Sequence, residues 1–276
     1  MTHVLASPAG VGPAMSVPVI GRRERFARVG STNDVVRGWL AEGEPEICLA
    51  IADEQTAGRG RNGRTWTAPP GAGLLLSLGF RPTWLEPDRV WQLAASVSLA
   101  MADAIEQTGA LPPGTISLKW PNDLVVVSSE AVLKVAGVLG ETEGLGTADP
   151  RAVVGIGVNT NWDSADFPPD LRSSMTSLRM LSDRDIDPDV LIATFVDRLE
   201  RLVDELHGGR FAAGAWIDRQ LTKPGRSVQL IEHDGSARWL PTSGVDADTG
   251  ALLVVDGDVE RAVMVGDITH VRLGRV

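Results

Sequence analysis

Apolar residues recur along the chain with two different spacings, and segments with the two spacings alternate. Helical spacing predicts two long amphipathic helices, one over 88–107 and one that begins at Asp187-Pro188 and runs to about 206. Shorter stretches predict helices at 31–43 and 211–219. Short apolar runs predict six strands, at 47–52, 74–80, 116–119, 124–127, 135–141 and 152–158. These elements predict an α+β fold in which helices pack on a mixed β-sheet.

The pattern changes after Lys223-Pro224-Gly225. From there to 272, short strand-like pieces are separated by turn sequences such as Asp234-Gly235 and Asp256-Gly257, which are typical of β-hairpins. We therefore predict a small C-terminal β domain over 223–276, similar in size to an SH3-like barrel. It follows a larger domain over 21–222.

The amino-acid composition is that of a globular protein, and its charge balance excludes one kind of binding surface. The 276 residues are 43% hydrophobic and 22% charged, enough to bury one large or two small cores. Lys and Arg total 26 against 36 Asp and Glu, and a net charge of −10 excludes a uniformly basic nucleic-acid surface.

Cysteine count and hydropathy indicate the compartment. The single cysteine, Cys48, excludes an internal disulfide and a cysteine-based metal cluster, which fits a reducing cytoplasm. No apolar run approaches the roughly 18–20 residues of a membrane helix. The first 20 residues have the composition of a loose tail, without the basic start and apolar stretch of a signal peptide. We predict a cytoplasmic globular protein with no membrane partner.

A glycine- and arginine-rich segment between Gln55 and Trp66 is the densest candidate site. Glycines let the backbone approach a ligand closely, and arginines pair with carboxylate or phosphate oxygens. The glycines are Gly58, Gly60 and Gly63, and the arginines are Arg59, Arg61 and Arg64. Because an acidic chain concentrates cations here, beside a predicted strand, we interpret the segment as an anion-binding loop. A flexible surface loop is the alternative.

The glycine spacing formally matches the dinucleotide-binding fingerprint, which would indicate a hydride-transferring enzyme. That fingerprint needs its glycines to open a helix, whereas 64–70 ends in Pro69-Pro70 and is a poor helix start. The next acidic residues flank Pro87 at a predicted helix start, not at the end of a second strand. The sequence therefore disfavours a Rossmann fold.

Three further segments carry polar residues at strand ends or glycines within strands. They are Lys119-Trp120-Pro121-Asn122-Asp123, Lys134 at the start of a strand, and Gly155-Ile156-Gly157-Val158-Asn159. Each alone is compatible with an ordinary turn, strand end or tightly packed strand.

The glycine- and arginine-rich segment and these three segments, taken in order, resemble the catalytic domain of biotin protein ligases, which has a class II synthetase-like fold. The resemblance also includes Gly30-Ser31-Thr32-Asn33 before them and Thr176-Ser177-Leu178 after them. The resemblance covers most of the chain after the tail. It implies that a biotin carboxylate attacks the α-phosphate of MgATP to give biotinyl-5′-adenylate, which then acylates a lysine. The implied cofactors are ATP and Mg²⁺, and the implied protein partner is the biotin carboxyl carrier domain of acyl-CoA carboxylases.

The resemblance also implies site residues. Those for biotin are Ser31, Thr32, Asn33, Gln55, Gly58, Arg59, Arg61, Lys134, Gly137 and Gly157. Those for ATP or the adenylate are Arg61, Arg64, Trp66, Asn122, Lys134 and Asn159. Lys134, Arg59 and Arg61 are the expected catalytic residues, the metal ligands are not identified, and 128–133 has no assigned role.

Two other functions stay open. Lipoate ligases share the fold and the adenylating chemistry, although the 58–64 loop and the Lys119–Asp123 motif favour biotin. A non-enzymatic binding module would use the C-terminal β domain as its working surface. Because only about thirty residues precede Ser31, too few for a winged-helix domain of roughly 50 residues, we expect no DNA binding.

Overall fold

The structure is a computed structural model that describes residues 20–128 and 131–274. Within those ranges it has five α-helices: α1 (Thr32–Ala41), α2 (Trp91–Gly109), α3 (Leu178–Ser182), α4 (Pro188–His207) and α5 (Ala213–Arg219). The predicted tail at 1–20 lies outside the described residues except for Ile20. No helix in the described ranges is long and apolar enough to cross a membrane.

Seven strands form the larger sheet, in the order β1-β2-β3-β7-β6-β5-β4. They are β1 (Arg22–Phe26), β2 (Cys48–Ala52), β3 (Gly73–Phe80), β4 (Ser117–Lys119), β5 (Asp123–Val127), β6 (Val132–Glu143) and β7 (Arg151–Asn159). Only the β1–β2 pair is parallel among these described strands. The predicted mixed sheet is confirmed.

Helices cover both faces of this sheet. Cys48 and Ala50 of β2 pack with α1, whereas the alternate residues Leu49 and Ile51 belong to the main core, which includes α2 and α4. Since β2 is buried on both sides, its sequence is a continuous apolar run.

Most element boundaries agree with the hydrophobic pattern. The start of α4 is as predicted, because the Asp187 side chain accepts hydrogen bonds from the N–H groups of Asp189 and Val190 and Pro188 occupies the first turn. Helix α2 begins three residues later than predicted, since 87–89 form a 3₁₀ turn. Strand β1 was missed because charged residues make up most of it, as suits an edge strand.

Five strands form a second, antiparallel sheet in the order β11-β10-β9-β8-β12. They are β8 (Ser227–Glu232), β9 (Ala237–Val245), β10 (Leu252–Asp256), β11 (Val259–Val263) and β12 (Ile268–Leu273). The predicted all-β character of this region is confirmed as an antiparallel sheet, and no pairing of β11 with β12 closes it into a barrel within the described ranges.

The small domain has its own hydrophobic core, which Trp120 of the larger domain joins. The Trp120 indole Nε1 donates a hydrogen bond of 2.9 Å to the Gly250 carbonyl oxygen. A residue of the predicted Lys119–Asp123 motif therefore links the two sheets.

Candidate active site

A cleft of about 580 Å³ brings the predicted site residues together. It lies over the glycines of β6 and β7, between the N-terminus of α1, the 58–66 loop and one edge of the small domain. Its lining includes Ser31, Thr32, Asn33, Gln55, Arg59, Arg61, Arg64, Trp66, Asn122, Lys134, Gly137 and Gly157. Of the predicted site residues, Gly58 and Asn159 do not line it.

One end of the cleft is a buried polar pocket at the start of α1. The backbone N–H and the hydroxyl of Thr32 both donate to Gln55 Oε1, at 2.7 and 2.9 Å. The Ser77 hydroxyl lies 2.7 Å from Thr32 Oγ1 and 2.6 Å from Asn33 Oδ1. Ser31 occupies the N-cap position of α1, but its side chain makes no capping bond to the helix and lines the cleft. The pocket thus presents fixed hydrogen-bonding groups to a small polar ligand.

The floor of the cleft depends on two paired glycines. Gly137 on β6 and Gly157 on β7 are opposite each other in the sheet. A Cβ on Gly157 would lie 2.6 Å from Trp66 Nε1, and one on Gly137 would lie 3.0 Å from Trp66 Cζ3. The indole therefore rests directly on the backbone of both strands, which requires glycine at position 157 and leaves little room for a Cβ at position 137. Trp66 Nε1 is buried and has no hydrogen-bond partner within the described ranges.

Lys134 stands beside this floor and pairs with a carboxylate. Its Nζ lies 2.6 Å from Asp123 Oδ1 and 5.2 Å from the centre of the Trp66 ring. Its backbone is held on the other side, because its N–H donates to the Ser174 carbonyl and its carbonyl accepts from Thr176 N–H. This fixed position suits a cation that must meet reacting oxygens.

The two predicted adenine-facing amides are engaged with backbone groups. Asn122 Nδ2 donates to the Val138 carbonyl at 2.8 Å, which fastens the turn to β6. Asn159 is buried at the end of β7, and its Nδ2 donates to the Thr176 carbonyl at 3.0 Å. Asn159 Oδ1 has no partner in the described part of the chain. Contact of either residue with adenine stays a prediction.

The arginine loop is closed and hydrogen-bonded. Trp66 N–H donates to the Gly58 carbonyl at 2.9 Å, and a Cβ on Gly58 would collide with the Trp66 carbonyl oxygen. Gly58 thus allows the loop ends to meet, although it does not line the cleft. Arg59 donates to Asp34 on α1, and Arg61 donates to the Val265 carbonyl of the small domain at 2.8 Å. Burial lowers the pKa of Arg61.

The list of expected site residues omits three charged residues of the lining, namely Lys119, Asp123 and Arg272. The first two lie in a motif that the sequence had marked, whereas Arg272 comes from β12 and no local pattern identifies it. Burial lowers the pKa of Lys119, and repulsion by Lys134, Arg64 and Arg272 adds to this, against attraction by Asp123. Lysines and arginines are thus crowded around one carboxylate, so the cleft attracts anions.

Acidic groups are sparse at the site. Asp123 is the one acidic residue among the described residues that line the cleft. The described ranges contain no group of three or more His, Cys, Asp or Glu side chains that could hold a metal ion.

Comparison with known proteins shows which protein family has a similar sequence and fold. Residues 26–159 match the model of the biotin/lipoate A/B protein ligase family. The chain is 31% identical over 249 residues to a biotin–[acetyl-CoA-carboxylase] ligase of Mycobacterium tuberculosis, covering 89% of this chain and 88% of that one. It is also 31% identical over 241 residues to the ligase of that name from Paracoccus denitrificans, covering 83% and 92%.

The fold is likewise shared with a solved structure. The biotin protein ligase from Aquifex aeolicus in complex with biotin and ATP superimposes with a TM-score of 0.74 over 92% of this chain and 100% of that chain, at 24% identity. The ordered motifs, the two-sheet architecture and the relatives agree, and this chain belongs to the biotin protein ligase family.

Proposed function

We propose that this protein attaches biotin to a lysine of a biotin carboxyl carrier domain in two steps, with ATP as the activating substrate. The observation that carries the proposal is the crowding of Lys119, Lys134, Arg64 and Arg272 beside the buried polar pocket of Thr32 and Gln55. A ligand with a polar head and a carboxylate can place the head in the pocket and the carboxylate among the cations.

In the first step a biotin carboxylate oxygen attacks the α-phosphorus of ATP. A new P–O bond forms, the bond to the β-phosphate oxygen breaks, and pyrophosphate leaves with the electron pair. Both reactants are anions, so fixed cations lower the barrier, and they do so most in a cleft with little water. Lys134 is suited to this role because Asp123 and the strand hold its ammonium in place. We propose that Arg59 and Arg61 assist from the loop, Arg59 by holding the loop in place.

Magnesium fits this site as a companion of ATP. Mg²⁺ binds through one or two carboxylates together with substrate phosphates, and the cleft offers the carboxylate of Asp123. When bound, it would neutralise phosphate charge. We propose that Asp123 would contribute one carboxylate oxygen to it, while Oδ1 stays paired with Lys134.

In the second step the neutral amine of the carrier lysine attacks the carbonyl carbon of the adenylate. An amide bond forms, the bond between the carbonyl carbon and the phosphate oxygen breaks, and AMP leaves with the electron pair while the amine proton passes to solvent. The Trp66 indole and the closed loop limit access of water to this anhydride. We propose that Asn122 and Asn159 lie near the adenine.

The domain division and location are part of the same proposal. We propose a catalytic domain over 21–222 and a C-terminal domain over 223–276, supported by their separate hydrophobic cores. We place the reaction in the cytoplasm, without a membrane partner, and expect no sequence-specific DNA binding. A saturable, sequence-dependent gel shift at physiological salt would contradict the last expectation.

Incubation with a purified biotin carboxyl carrier domain, ATP and Mg²⁺ tests the proposal. Mass spectrometry should find one added biotinyl group when biotin is present, and none when the acceptor lysine is replaced by arginine. Lipoate serves as the competing substrate with a lipoyl acceptor domain. Modification by lipoate in preference to biotin would make the protein a lipoate ligase, and modification by neither would favour a binding module.

A further inference from the structure

The guanidinium of Arg59 is held by a carboxylate of helix α1. Arg59 NH1 donates to one carboxylate oxygen of Asp34 at 2.8 Å, and NH2 donates to the other at 2.7 Å. This is a bidentate pair, in which two parallel bonds fix the orientation as well as the distance. The hydrogen bonds from Arg59 hold the pKa of Asp34 below its usual range, so the carboxylate is charged at neutral pH. The loop is therefore fastened to the helix that bears Ser31 and Thr32.

A second carboxylate extends the attachment to strand β6. Glu141 Oε2 lies 3.6 Å from Arg59 NH2 and accepts hydrogen bonds from Arg37 NH2 at 2.8 Å and Asn33 Nδ2 at 2.7 Å. Arg37 NH1 also donates to Asp34, at 2.6 Å. Two arginines and two carboxylates thus form one network between the loop, α1 and β6.

Two members of the network, Arg59 and Asn33, line the cleft, and Asn33 connects the network to the buried pocket. Asn33 connects Glu141 to the Ser77 hydroxyl, and Ser77 is within hydrogen-bond distance of Thr32. Neither Asp34 nor Glu141 lines the cleft itself. Any effect of these carboxylates on the ligand must therefore pass through Arg59 and Asn33.

We propose that Asp34 and Glu141 are positioning residues that hold the 58–66 loop over the cleft through Arg59. This inference rests on the proposed function, and it gives the Arg59 side chain the task of anchoring the loop. The loop backbone then covers the bound adenylate, while Trp66 stays part of the floor of the cleft. Loss of either carboxylate frees one end of the loop, so the adenylate should escape faster before the carrier lysine arrives.

The expected size of the effect on adenylate dissociation follows from the exposure of the Asp34 and Arg59 side chains. The Asp34 and Arg59 side chains are 48% and 36% exposed, so solvent weakens the pair. A bidentate pair within a network is still stronger than an isolated one. We expect Asp34→Asn to raise the dissociation rate of biotinyl-5′-adenylate about twofold to fivefold, while the rate of its formation changes less.

The test compares four variants: Asp34→Asn, Glu141→Gln, Arg59→Gln and the double variant Asp34→Asn with Arg59→Gln. Asp197→Asn is the matched control, because it removes a carboxylate that pairs with Arg201 on the surface of α4, away from the cleft. The readouts are adenylate dissociation by rapid mixing and amide exchange of 58–66 in ligand-free protein. Asp34→Glu, which can keep the ion pair, should recover part of the loss.

If Asp34 acts through Arg59, the double variant should behave like Arg59→Gln alone, and both Asp34→Asn and Glu141→Gln should speed exchange of 58–66. Additive effects, or exchange and dissociation equal to those of Asp197→Asn, would overturn the inference. Amide exchange needs no catalysis, so it tests the anchor even if biotin transfer fails. Transfer by the unaltered protein tests the proposed function separately.

Discussion

Lys134 Nζ lies 2.6 Å from Asp123 Oδ1, with both side chains more than half buried. The two residues come from facing strands, since β5 begins at Asp123 and pairs with β6. A cation in this position is oriented before any ligand arrives. The proposed chemistry needs such a cation, because an oriented charge stabilises the transition state without reorganising.

Replacing Lys134 with alanine should therefore slow adenylate formation strongly in a protein that still folds. We expect a fall of about a hundredfold or more in the rate of adenylate formation, the range for loss of a preorganised electrostatic group. Rapid-quench measurement gives the rate, and circular dichroism with urea unfolding gives the fold. Near-normal adenylate formation in a folded variant would remove Lys134 from the mechanism.

A methyl group at Gly157 should displace Trp66 from the floor of the cleft. Forcing a Cβ into a filled site costs about 1–3 kcal/mol, so Gly157→Ala should bind biotin roughly tenfold or more weakly. Gly140→Ala is the matched control on β6, because its Cβ would meet only Ala94 Cβ, at 3.8 Å. Calorimetric titration with biotin measures both. Equal affinities for the two variants would show that Trp66 does not depend on the glycine floor.

The ionisation of Glu106 should make the free energy of unfolding depend on pH. Burial raises the pKa of Glu106, but hydrogen bonds from Arg219 and from Ile116 N–H, together with the charge of Arg219, outweigh burial and hold the pKa below its usual range. A depressed pKa stabilises the fold above the unfolded value of about 4.3. That stability is lost as pH falls further, through the folded-state pKa.

Glu106→Gln should therefore lower the free energy of unfolding by about 2 kcal/mol at pH 7. Urea unfolding of both proteins at pH 7 and pH 3 measures the difference, which should shrink at pH 3. A difference that stayed constant across this range would contradict the ionised state of Glu106.

Ligand should change the protection of the 58–64 segment. Its three glycines raise the entropy of the open loop, and a bound anion would compensate the repulsion between Arg61 and Arg64. The loop already has backbone hydrogen bonds, such as Gly60 N–H to the Arg64 carbonyl. We expect amide exchange to slow when biotin binds. Equal protection with and without biotin would mean that the loop is a rigid platform.

Elements that depend on residues close together in the sequence were predictable, whereas those that depend on distant pairing were not. The Asp187-Pro188 cap and the apolar run of β2 were predictable, because capping and burial leave local patterns. Strand β1 was not predictable, because it is a strand through its pairing with β2 and its composition gives no sign of this.

The same distinction holds at the site. The sequence could mark Arg59 as a cation, but its partner Asp34 lies 25 residues away and becomes visible only when α1 and the loop meet. Arg272 reaches the cleft from the other sheet, and its contribution depends on how the small domain is joined through Trp120. Residue types were thus predictable, whereas their pairing required the fold.

Exchange of radiolabelled pyrophosphate into ATP tests the central claim most directly. With purified protein and Mg²⁺, we predict exchange that depends on biotin, is absent with lipoate in its place, and disappears in Lys134→Ala. Exchange that lipoate supports as well as biotin, or no exchange with biotin from a folded protein, would contradict the account.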